Sequence, residues 1–478
     1  MAGVGSTLTY VSAFSGLDRG RPRFLGQGAA PTTVRSEGDA TLGLERALHA
    51  LERRLGGGPL RWRTMMACSS AAGGLRMTVH GLAPQMTARA AREAALGAGA
   101  VVELATAGEL RPEQLRAVLE LRPGVVLLAG GVDFGERRVT LRNARRLAAL
   151  AAKGLSAPVV FAGNRAIAAR VGEILEARGL EAHLAENVYP ALDRLNLEPA
   201  RELIQRVFER HIVSAPGMDR VRRLVDGDIV PTPAAVLRAA ELLYPVLGDL
   251  LVVDVGGATT DLHSVTAGSP EVRERSFEVE PLSKRTVEGD LGVFAGAKRV
   301  VEAVGPGRLD AILGFDHRPV LSGLGAVPKT PAEEALVMAL AREAVRRALD
   351  RHAGAWRESY GAGGRVVFAE GRDLTAVRWV VGTGGPLVRL AGGRELLSAE
   401  CRGGPPQRLY PPPDARVLID RHYIMAACGV LARRYPAQAL ELLLSSLDGA
   451  RGEEAGRARE KGEDPGRGQR DAPPPPPG

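Results

Sequence analysis

The chain has 478 residues, enough to bury a sizeable core and to form two to three domains. Hydrophobic residues make up 45% and charged residues 25%, the balance of an ordinary soluble globular protein. The formal net charge of +8 comes from scattered arginines, since only five residues are lysine. No basic run is interleaved with aromatic residues, so nucleic-acid binding is not expected.

The numbers and spacing of cysteine and histidine argue against a disulfide-stabilised or metal-binding protein. Cys68, Cys401 and Cys428 are too few and too scattered for a disulfide framework or a CxxC metal site, and the eight histidines show no paired ligand spacing. No apolar run approaches the roughly 20 residues needed to cross a bilayer, and the N-terminus lacks a charged-then-apolar signal pattern. These features predict a cytoplasmic protein without a structural metal or membrane attachment.

Apolar strands alternate with helical patterns along the chain, which predicts an α/β fold. The predicted elements of the first 162 residues are strands at 8–14, 64–68, 76–81, 101–104, 124–129 and 158–162, and helices at 87–96 and 142–152. Glycine loops at 130–131 and 163–164 follow strands, where open α/β sheets place ligands. Such loops are weak indications alone, because glycine is common at strand ends.

The segment 250–265, LLVVDVGGATTDLHSV, is the most informative of the chain. An apolar strand runs into Asp254, then into Gly256 and Gly257, and an alternating strand leaves after Thr259 and Thr260. Glycines let backbone N–H groups approach an anion, threonine hydroxyls add donors, and an acid at a strand end can hold a metal or a water. The strand–turn–strand pattern therefore predicts a phosphate–metal site and not a Walker loop, which opens a helix.

Several elements are predicted beyond this motif. A strand at 377–381 leads into Gly382-Thr383-Gly384-Gly385-Pro386. Before it, Thr330, Pro331 and Glu333 form a capping box for a helix whose buried stripe comprises Leu336, Val337, Leu340, Ala344 and Ala348. Asp420 is predicted to cap a helix carrying Tyr423, Ile424, Ala427, Cys428 and Leu431. From about Asp448 the composition becomes Gly/Arg/Glu-rich and ends in five prolines, which predicts a disordered tail.

Asp261-Leu262-His263 begins like the Asp-x-His-x-x-Gly loop with which some corrinoid proteins ligate cobalt. Thr266 stands where that loop needs glycine, and His263 lies on a strand. A packed strand histidine is therefore favoured over a cobalamin ligand.

The central motif resembles the second phosphate-binding hairpin of the actin/Hsp70/sugar-kinase superfamily. Val380–Gly385 is similar to the adenosine motif of that superfamily, and the segment 420–431 to its second interlobe helix. The resemblance implies a two-lobed, ribonuclease H-like ATPase fold with ATP and Mg²⁺ in the cleft between the lobes. It assigns nucleotide binding to Gly5, Ser6, Thr7, Gly256, Gly257, Thr259, Thr260, Gly382, Gly384 and Gly385, and a magnesium and catalytic role to Asp254.

A narrower resemblance covers nearly all of the chain before the tail. GQGAAPTT (26–33), ACSSAAGGL (67–75), LLAGG (127–131), AGN (162–164), ENV (186–188), PTPAA (231–235) and KRTVEGDLG (284–292) are similar to the GlmL/MutL family of glutamate mutase accessory proteins. This implies a partner for the subunits of an adenosylcobalamin-dependent mutase or aminomutase. By analogy with related reactivases, such a protein would use ATP to release damaged cobalamin.

One departure concerns the first phosphate hairpin, which in the superfamily carries an acid two residues before its glycine. Here Gly3 stands at that position, and only two residues precede it. If the missing acid places magnesium or the attacking water, hydrolysis would be slow; alternatively, the sequence is wrong at its start.

The predicted organisation is a first lobe beginning at 1–60, an α/β inserted region at 61–245, a second lobe at 246–447 and the tail at 448–478. Two other function classes stay open. A small-molecule kinase on this fold would need a catalytic base in the cleft, for which the sequence offers no clear candidate. A nucleotide-binding scaffold without hydrolysis would fit Gly3.

Overall fold

A computed structural model describes residues 1–34, 36–70, 75–212, 217–277, 279–361 and 364–447. The predicted disordered tail lies outside these residues. Among the helices of the described segments, none is long and apolar enough to cross a bilayer.

Seventeen strands are described: β1 Ala2–Val4, β2 Leu8–Ser15, β3 Arg23–Pro31, β4 Ala67–Ser69, β5 Leu75–Gly81, β6 Ala100–Ala107, β7 Val125–Leu128, β8 Val159–Phe161, β9 Ala182–Leu184, β10 Ile229–Pro231, β11 Leu250–Val255, β12 Thr260–Val265, β13 Ser283–Glu288, β14 Ala355–Gly361, β15 Gly364–Glu370, β16 Trp379–Thr383 and β17 Arg416–Ile419. The α-helices of the same segments are α1 Ala40–Arg54, α2 Arg89–Gly97, α3 Pro112–Leu121, α4 Arg138–Ala149, α5 Ala168–Glu176, α6 Glu198–Ile212, α7 Met218–Leu224, α8 Thr232–Leu247, α9 Pro270–Glu274, α10 Ala297–Val304, α11 Pro306–Leu313, α12 His317–Gly323, α13 Pro331–His352, α14 Gly385–Arg389, α15 Gly393–Glu400, α16 Met425–Leu431 and α17 Pro436–Ser446.

Two five-stranded sheets share one topology. The first has the order β10-β4-β1-β2-β3 and the second the order β13-β12-β11-β16-β17. In each, three strands form antiparallel hairpins and the other two add in parallel beside the first strand. This repeat gives the protein the two-lobed α/β fold of the actin-like ATPases, as the sequence motifs predicted.

A third sheet, β6-β5-β7-β8-β9, is entirely parallel and lies in the chain between β4 and β10. The interval 61–245 thus contains this separate sheet together with two strands, β4 and β10, that hydrogen-bond into the first lobe. The limits of the inserted region as a domain remain a prediction. Its strand order is that of doubly wound α/β folds.

The helix with the clearest capping sequence, α13, begins where the sequence predicted. Thr330 accepts from the Glu333 N–H at 3.2 Å, and the Glu333 carboxylate accepts from the Thr330 N–H at 3.1 Å, so the predicted capping box of α13 is confirmed. The predicted stripe of α13 is buried against β11 and β12. The other predicted helices and strands are present, with ends that differ from the prediction by at most four residues.

The cap at Asp420 differs from the prediction. The helix begins at Met425, and Asp420 lies before it, accepting from the N–H groups of Ile424 at 3.1 Å and Met425 at 2.9 Å. Tyr423 has a left-handed φ of 51° and Ile424 is the residue before the helix, so neither belongs to it. Asp420 therefore holds the turn that leads into α16.

Helices α8 and α16 cross where the two lobes meet. A Cβ on Gly429 of α16 would lie only 1.8 Å from the carbonyl oxygen of Ala235 in α8. Only glycine permits this approach, so Gly429 sets the spacing of the two helices.

Candidate functional site in the interlobe cleft

The turn between β11 and β12 is a tight hairpin. Gly256 donates its N–H to the Thr259 carbonyl at 2.9 Å, and the carbonyl of Gly257 accepts from the N–H groups of Phe294 at 2.9 Å and Ala295 at 2.7 Å. The segment after β13 therefore braces the turn from outside. The hairpin predicted from the sequence is confirmed.

The equivalent turn of the first lobe, Gly5-Ser6-Thr7, connects β1 and β2. Gly5 donates its N–H to the Leu8 carbonyl at 2.9 Å, and Thr32 clamps the turn through the carbonyls of Gly5 and Thr7. The two turns face each other closely, since a Cβ on Gly257 would lie 2.3 Å from the Thr7 hydroxyl oxygen.

A cavity of about 340 Å³ lies beside the two facing turns, within the ~300–1,000 Å³ typical of small-molecule sites. Eight of the predicted site residues line it: Gly5, Ser6, Thr7, Asp254, Gly256, Gly257, Thr259 and Gly385. A Cβ on Gly385 would meet no atom within 4 Å, so this glycine opens onto the cleft. The cavity continues past Leu324–Pro328 to Glu334 and Arg389.

Three predicted residues lie outside this lining. Thr260 is buried and its hydroxyl donates to the Leu291 carbonyl at 2.8 Å, so it packs the hairpin in place of the predicted phosphate contact. Gly382 lies in the buried strand β16, where a Cβ would be 2.5 Å from Leu397 Cδ1. Gly384, with φ +93°, allows close packing, since a Cβ there would lie 2.3 Å from the Val255 carbonyl and 2.8 Å from Asp254 Oδ1.

Asp254 and Asp261 are direct cross-strand partners on β11 and β12, and both line the cavity. Desolvation raises the pKa of Asp254 to about 7, with a further contribution from the negative charge of Asp261, while Arg285 opposes the rise. Asp261 accepts from the Thr259 hydroxyl at 2.8 Å and from Arg285. Sequence reasoning missed Asp261, although the hairpin register places residues 254 and 261 opposite each other.

The donor set of this cleft suits a hard cation. Two carboxylates on neighbouring strands and the hydroxyls of Ser6, Thr7 and Thr259 line one cavity. Mg²⁺ prefers oxygen ligands and keeps several waters, so this set of carboxylate and hydroxyl oxygens fits a hydrated magnesium ion.

Gly3 lies in β1 with Tyr10 opposite it on β2. A Cβ on Gly3 would lie 2.1 Å from Tyr10 Cζ. The buried Tyr10 ring thus fills the space of any side chain at residue 3.

Further cleft residues come from the ends of distant elements. Tyr423 lies 5.3 Å from the Tyr10 ring, centroid to centroid, and Arg389 lies 5.5 Å above the Tyr423 ring. Arg389 also donates to Gln27 of β3 at 3.0 Å, and Gln27 donates to the Tyr423 carbonyl at 3.1 Å. These contacts join the two lobes at the cleft, and no short motif in the sequence indicates them.

His263 is buried in β12, as the preference for a packed strand histidine predicted. Neither ring nitrogen has a hydrogen-bond partner within the described part of the chain, and burial lowers the pKa of the ring. A buried position without access from the cleft does not fit cobalt ligation.

Residues 1–447 match the family described as MutL protein. The chain belongs to this family. It is 37% identical over 459 residues to Protein MutL of Clostridium tetanomorphum, covering 93% of this chain and 97% of that protein.

Solved structures give weaker likenesses. Nucleotide-free acetone carboxylase shares 15% identity at a TM-score of 0.37, covering 90% of this chain and 69% of that one. The ethanolamine utilization protein EutJ from Carboxydothermus hydrogenoformans shares 10% identity at a TM-score of 0.27, covering 92% and 88%. At such scores the fold assignment rests on the repeated sheet topology.

Proposed function

We propose that this protein is an ATP-binding accessory protein of an adenosylcobalamin-dependent mutase of the glutamate mutase type or of a related aminomutase. The observation that carries the proposal is the cleft: equivalent turns of two equivalent sheets face one cavity that also holds two carboxylates. Membership of the MutL family supports the mutase as the partner.

In this proposal, the N–H groups and hydroxyls of Gly5–Thr7 and of Gly256, Gly257 and Thr259 bind the phosphates. Asp254 holds magnesium through water, and Gly385 lets the adenosine side approach the backbone, while Gly384 packs the turn against β11. Bound Mg²⁺ would neutralise phosphate charge. Asp254 must lose its proton to serve, because a carboxylate and not a carboxylic acid binds a cation.

ATP is proposed to favour one arrangement of the two lobes, and the mutase to sense that arrangement and release damaged cobalamin. Basal hydrolysis is expected to be weak, because Tyr10 fills the space of the acid that the superfamily carries at residue 3. The inserted region is the proposed contact surface, since the nucleotide fold itself does not need a third sheet.

A nucleotide-binding scaffold without hydrolysis is the second candidate, and the same Tyr10 ring favours it. A small-molecule kinase is the third; its base would have to come from the cleft carboxylates, Asp254, Asp261 or Glu334. An adjacent gene for a cobalamin-dependent mutase subunit would favour the accessory role over the kinase.

Titration calorimetry with Mg-ATP tests the site. Asp254→Ala should lose magnesium-dependent affinity. Asp249→Ala, directly before the opposite end of that strand, should keep it, since Asp249 accepts from the Ala267 N–H at 3.0 Å and does not line the cavity. Equal affinity of Asp254→Ala and the parent would overturn the site assignment.

ATPase and reactivation assays with an inactivated mutase test the role. We expect turnover to rise when the inactivated enzyme is added, together with recovery of mutase activity. Mg-ATP binding without turnover or reactivation would favour the scaffold. Phosphorylation of a sugar or organic acid, with no effect on any inactivated mutase, would favour the kinase.

A further inference from the structure

Arg285 of β13 connects the cleft to the third sheet, which belongs to the inserted region. Its side chain is only 1% exposed. Nε and Nη2 donate to Asp261 Oδ1 at 3.1 and 2.6 Å, while Nη1 donates to the carbonyl oxygens of Leu96 at 2.9 Å and Ala100 at 3.0 Å. Leu96 lies in the last turn of α2 and Ala100 begins β6. One guanidinium thus binds a cleft carboxylate and two backbone groups of the inserted region.

The far end of this contact is a helix terminus. The last carbonyls of a helix lack intrahelical partners and carry partial negative charge, so a buried cation is stabilised there. The guanidinium of Arg285 is therefore bound by Asp261 on one side and by the end of α2 on the other. Because the guanidinium is planar and rigid, it fixes the position of the Asp261 carboxylate relative to α2. Arg285 belongs to the KRTVEGDLG segment, whose role the nucleotide site alone does not explain.

The near end of the contact is open to a ligand. Asp261 lines the cavity, and its other oxygen, Oδ2, accepts from the Thr259 hydroxyl at 2.8 Å. A phosphate that recruits the Thr259 hydroxyl, or a hydrated cation that attracts Asp261, changes the partners of the carboxylate that Arg285 holds.

The contact between α2 and the second lobe is polar around Arg285. Arg89 pairs with Glu280 at 2.8 Å, and Lys284 lies 2.9 Å from Glu280 and 3.6 Å from Glu93. Polar interfaces of this kind are typical of domains that move relative to one another, while buried ion pairs allow only defined geometries. The interface is thus suited to switch between discrete arrangements.

We propose that Arg285 is a positioning residue that transmits the occupancy of the cleft to α2 and β6 of the inserted region. The inference rests on the proposed function, because it takes Mg-ATP as the ligand that fills the cleft. A ligand shifts an equilibrium only if it binds the two states differently, so ATP must contact Asp261 and Thr259 differently in the two arrangements of the lobes.

Hydrogen exchange with and without saturating Mg-ATP tests the proposal on the full chain. In the parent, exchange of amides in Arg89–Gly97 and Ala100–Ala107 should change about fivefold or more, the lower end of typical coupling between sites. Arg285→Lys keeps the charge but cannot reach Asp261 and two carbonyls at once. At Mg-ATP concentrations that calorimetry shows to saturate it, this variant should lose the change in α2 and β6.

Arg372→Lys is the matched control. Arg372 is also buried, but its hydrogen bonds go to Ser264, Pro281 and Leu282 of the second lobe. This variant should keep the nucleotide-dependent exchange, which separates transmission from general loss of packing.

The outcomes separate the two proposals. If the parent does not bind Mg-ATP, the proposed function fails first. If the parent binds it and α2 and β6 do not respond, or if Arg285→Lys responds like the parent, the role of Arg285 is overturned. If Arg285→Lys does not fold, the parent protein alone tests the proposal. Mg-ATP should then change exchange in α2 and β6 and leave exchange in the remote helix α5 unchanged; an equal change in all three would overturn the role of Arg285.

Discussion

The phenol ring of Tyr10 lies where a side chain of residue 3 would have to lie. Its hydroxyl is 3.6 Å from Cys68 Sγ, and its ring also contacts that of Tyr423 at the cleft. An acidic side chain at residue 3 would therefore clash with the Tyr10 ring and could be accommodated only if that ring moved. Glycine at this site and tyrosine at residue 10 form one packing unit.

A double-mutant cycle tests this unit. Gly3→Ala should lower the free energy of unfolding by about 1–3 kcal/mol because of overpacking against the ring. In the Tyr10→Ala background, which itself loses stability through the cavity it leaves, the same change should be nearly neutral. Urea unfolding of the four proteins measures the coupling, and additive effects would contradict the contact.

The same pair bears on hydrolysis. We expect Gly3→Asp alone to lose stability without gaining ATPase activity, and Gly3→Asp combined with Tyr10→Ala to turn over ATP faster than Tyr10→Ala alone. The combined comparison uses the Tyr10→Ala protein as its control. Faster turnover by Gly3→Asp alone would show that the ring yields easily.

Mg-ATP affinity should depend on pH through Asp254. Because its pKa is raised to about 7, the carboxyl is mostly neutral at pH 6 and mostly ionised at pH 8, and affinity should rise about tenfold between them. ATP also titrates in this range, so the measurement is the difference from Asp254→Asn by calorimetry. Equal pH dependence of the two proteins would contradict the prediction.

The raised pKa has an opposite consequence for stability. The folded protein holds this proton up to about pH 7 and the unfolded chain loses it near 3.8, so the ionised form destabilises the fold as pH rises between those values. Asp254→Asn should therefore stabilise the ligand-free protein by about 1–2 kcal/mol at pH 8, less than the full shift implies because the carboxyl is partly exposed. The gain should disappear near pH 4, and thermal melts at both pH values check the sign.

Gly429→Ala should force apart α8 and α16, because the added methyl meets the Ala235 carbonyl. We expect a loss of about 1–3 kcal/mol in the free energy of unfolding. Gly307→Ala in α11 is the control: its Cβ would meet nothing within 4 Å, so it should be neutral or stabilise by up to ~1 kcal/mol. Similar losses in both proteins would argue against the helix contact.

Truncation after Leu447 should leave the melting temperature within about 1–2 °C, because the removed segment offers little apolar surface to bury. A large drop would mean that this segment docks on the folded chain. Differential scanning calorimetry of the two chains decides.

The sequence by itself determined the features that few residues encode. The capping box of α13, the hairpin around Gly256 and Gly257 and the alternation of strands and helices follow from backbone hydrogen bonding and side-chain periodicity within one segment. In each of these cases the interactions are local, so the sequence pattern predicts them. The two lobes were implied instead by the resemblance of the motifs to the actin/Hsp70/sugar-kinase superfamily.

Only the tertiary structure decided what lies between segments distant in the chain. It brings the ring of Tyr423 to within 5.3 Å of that of Tyr10, moves Thr260 and Gly382 from ligand contact to packing, and joins Asp261 through Arg285 to Leu96. Such contacts depend on close packing of side chains that no local period records, and for that reason they could not be predicted from the sequence.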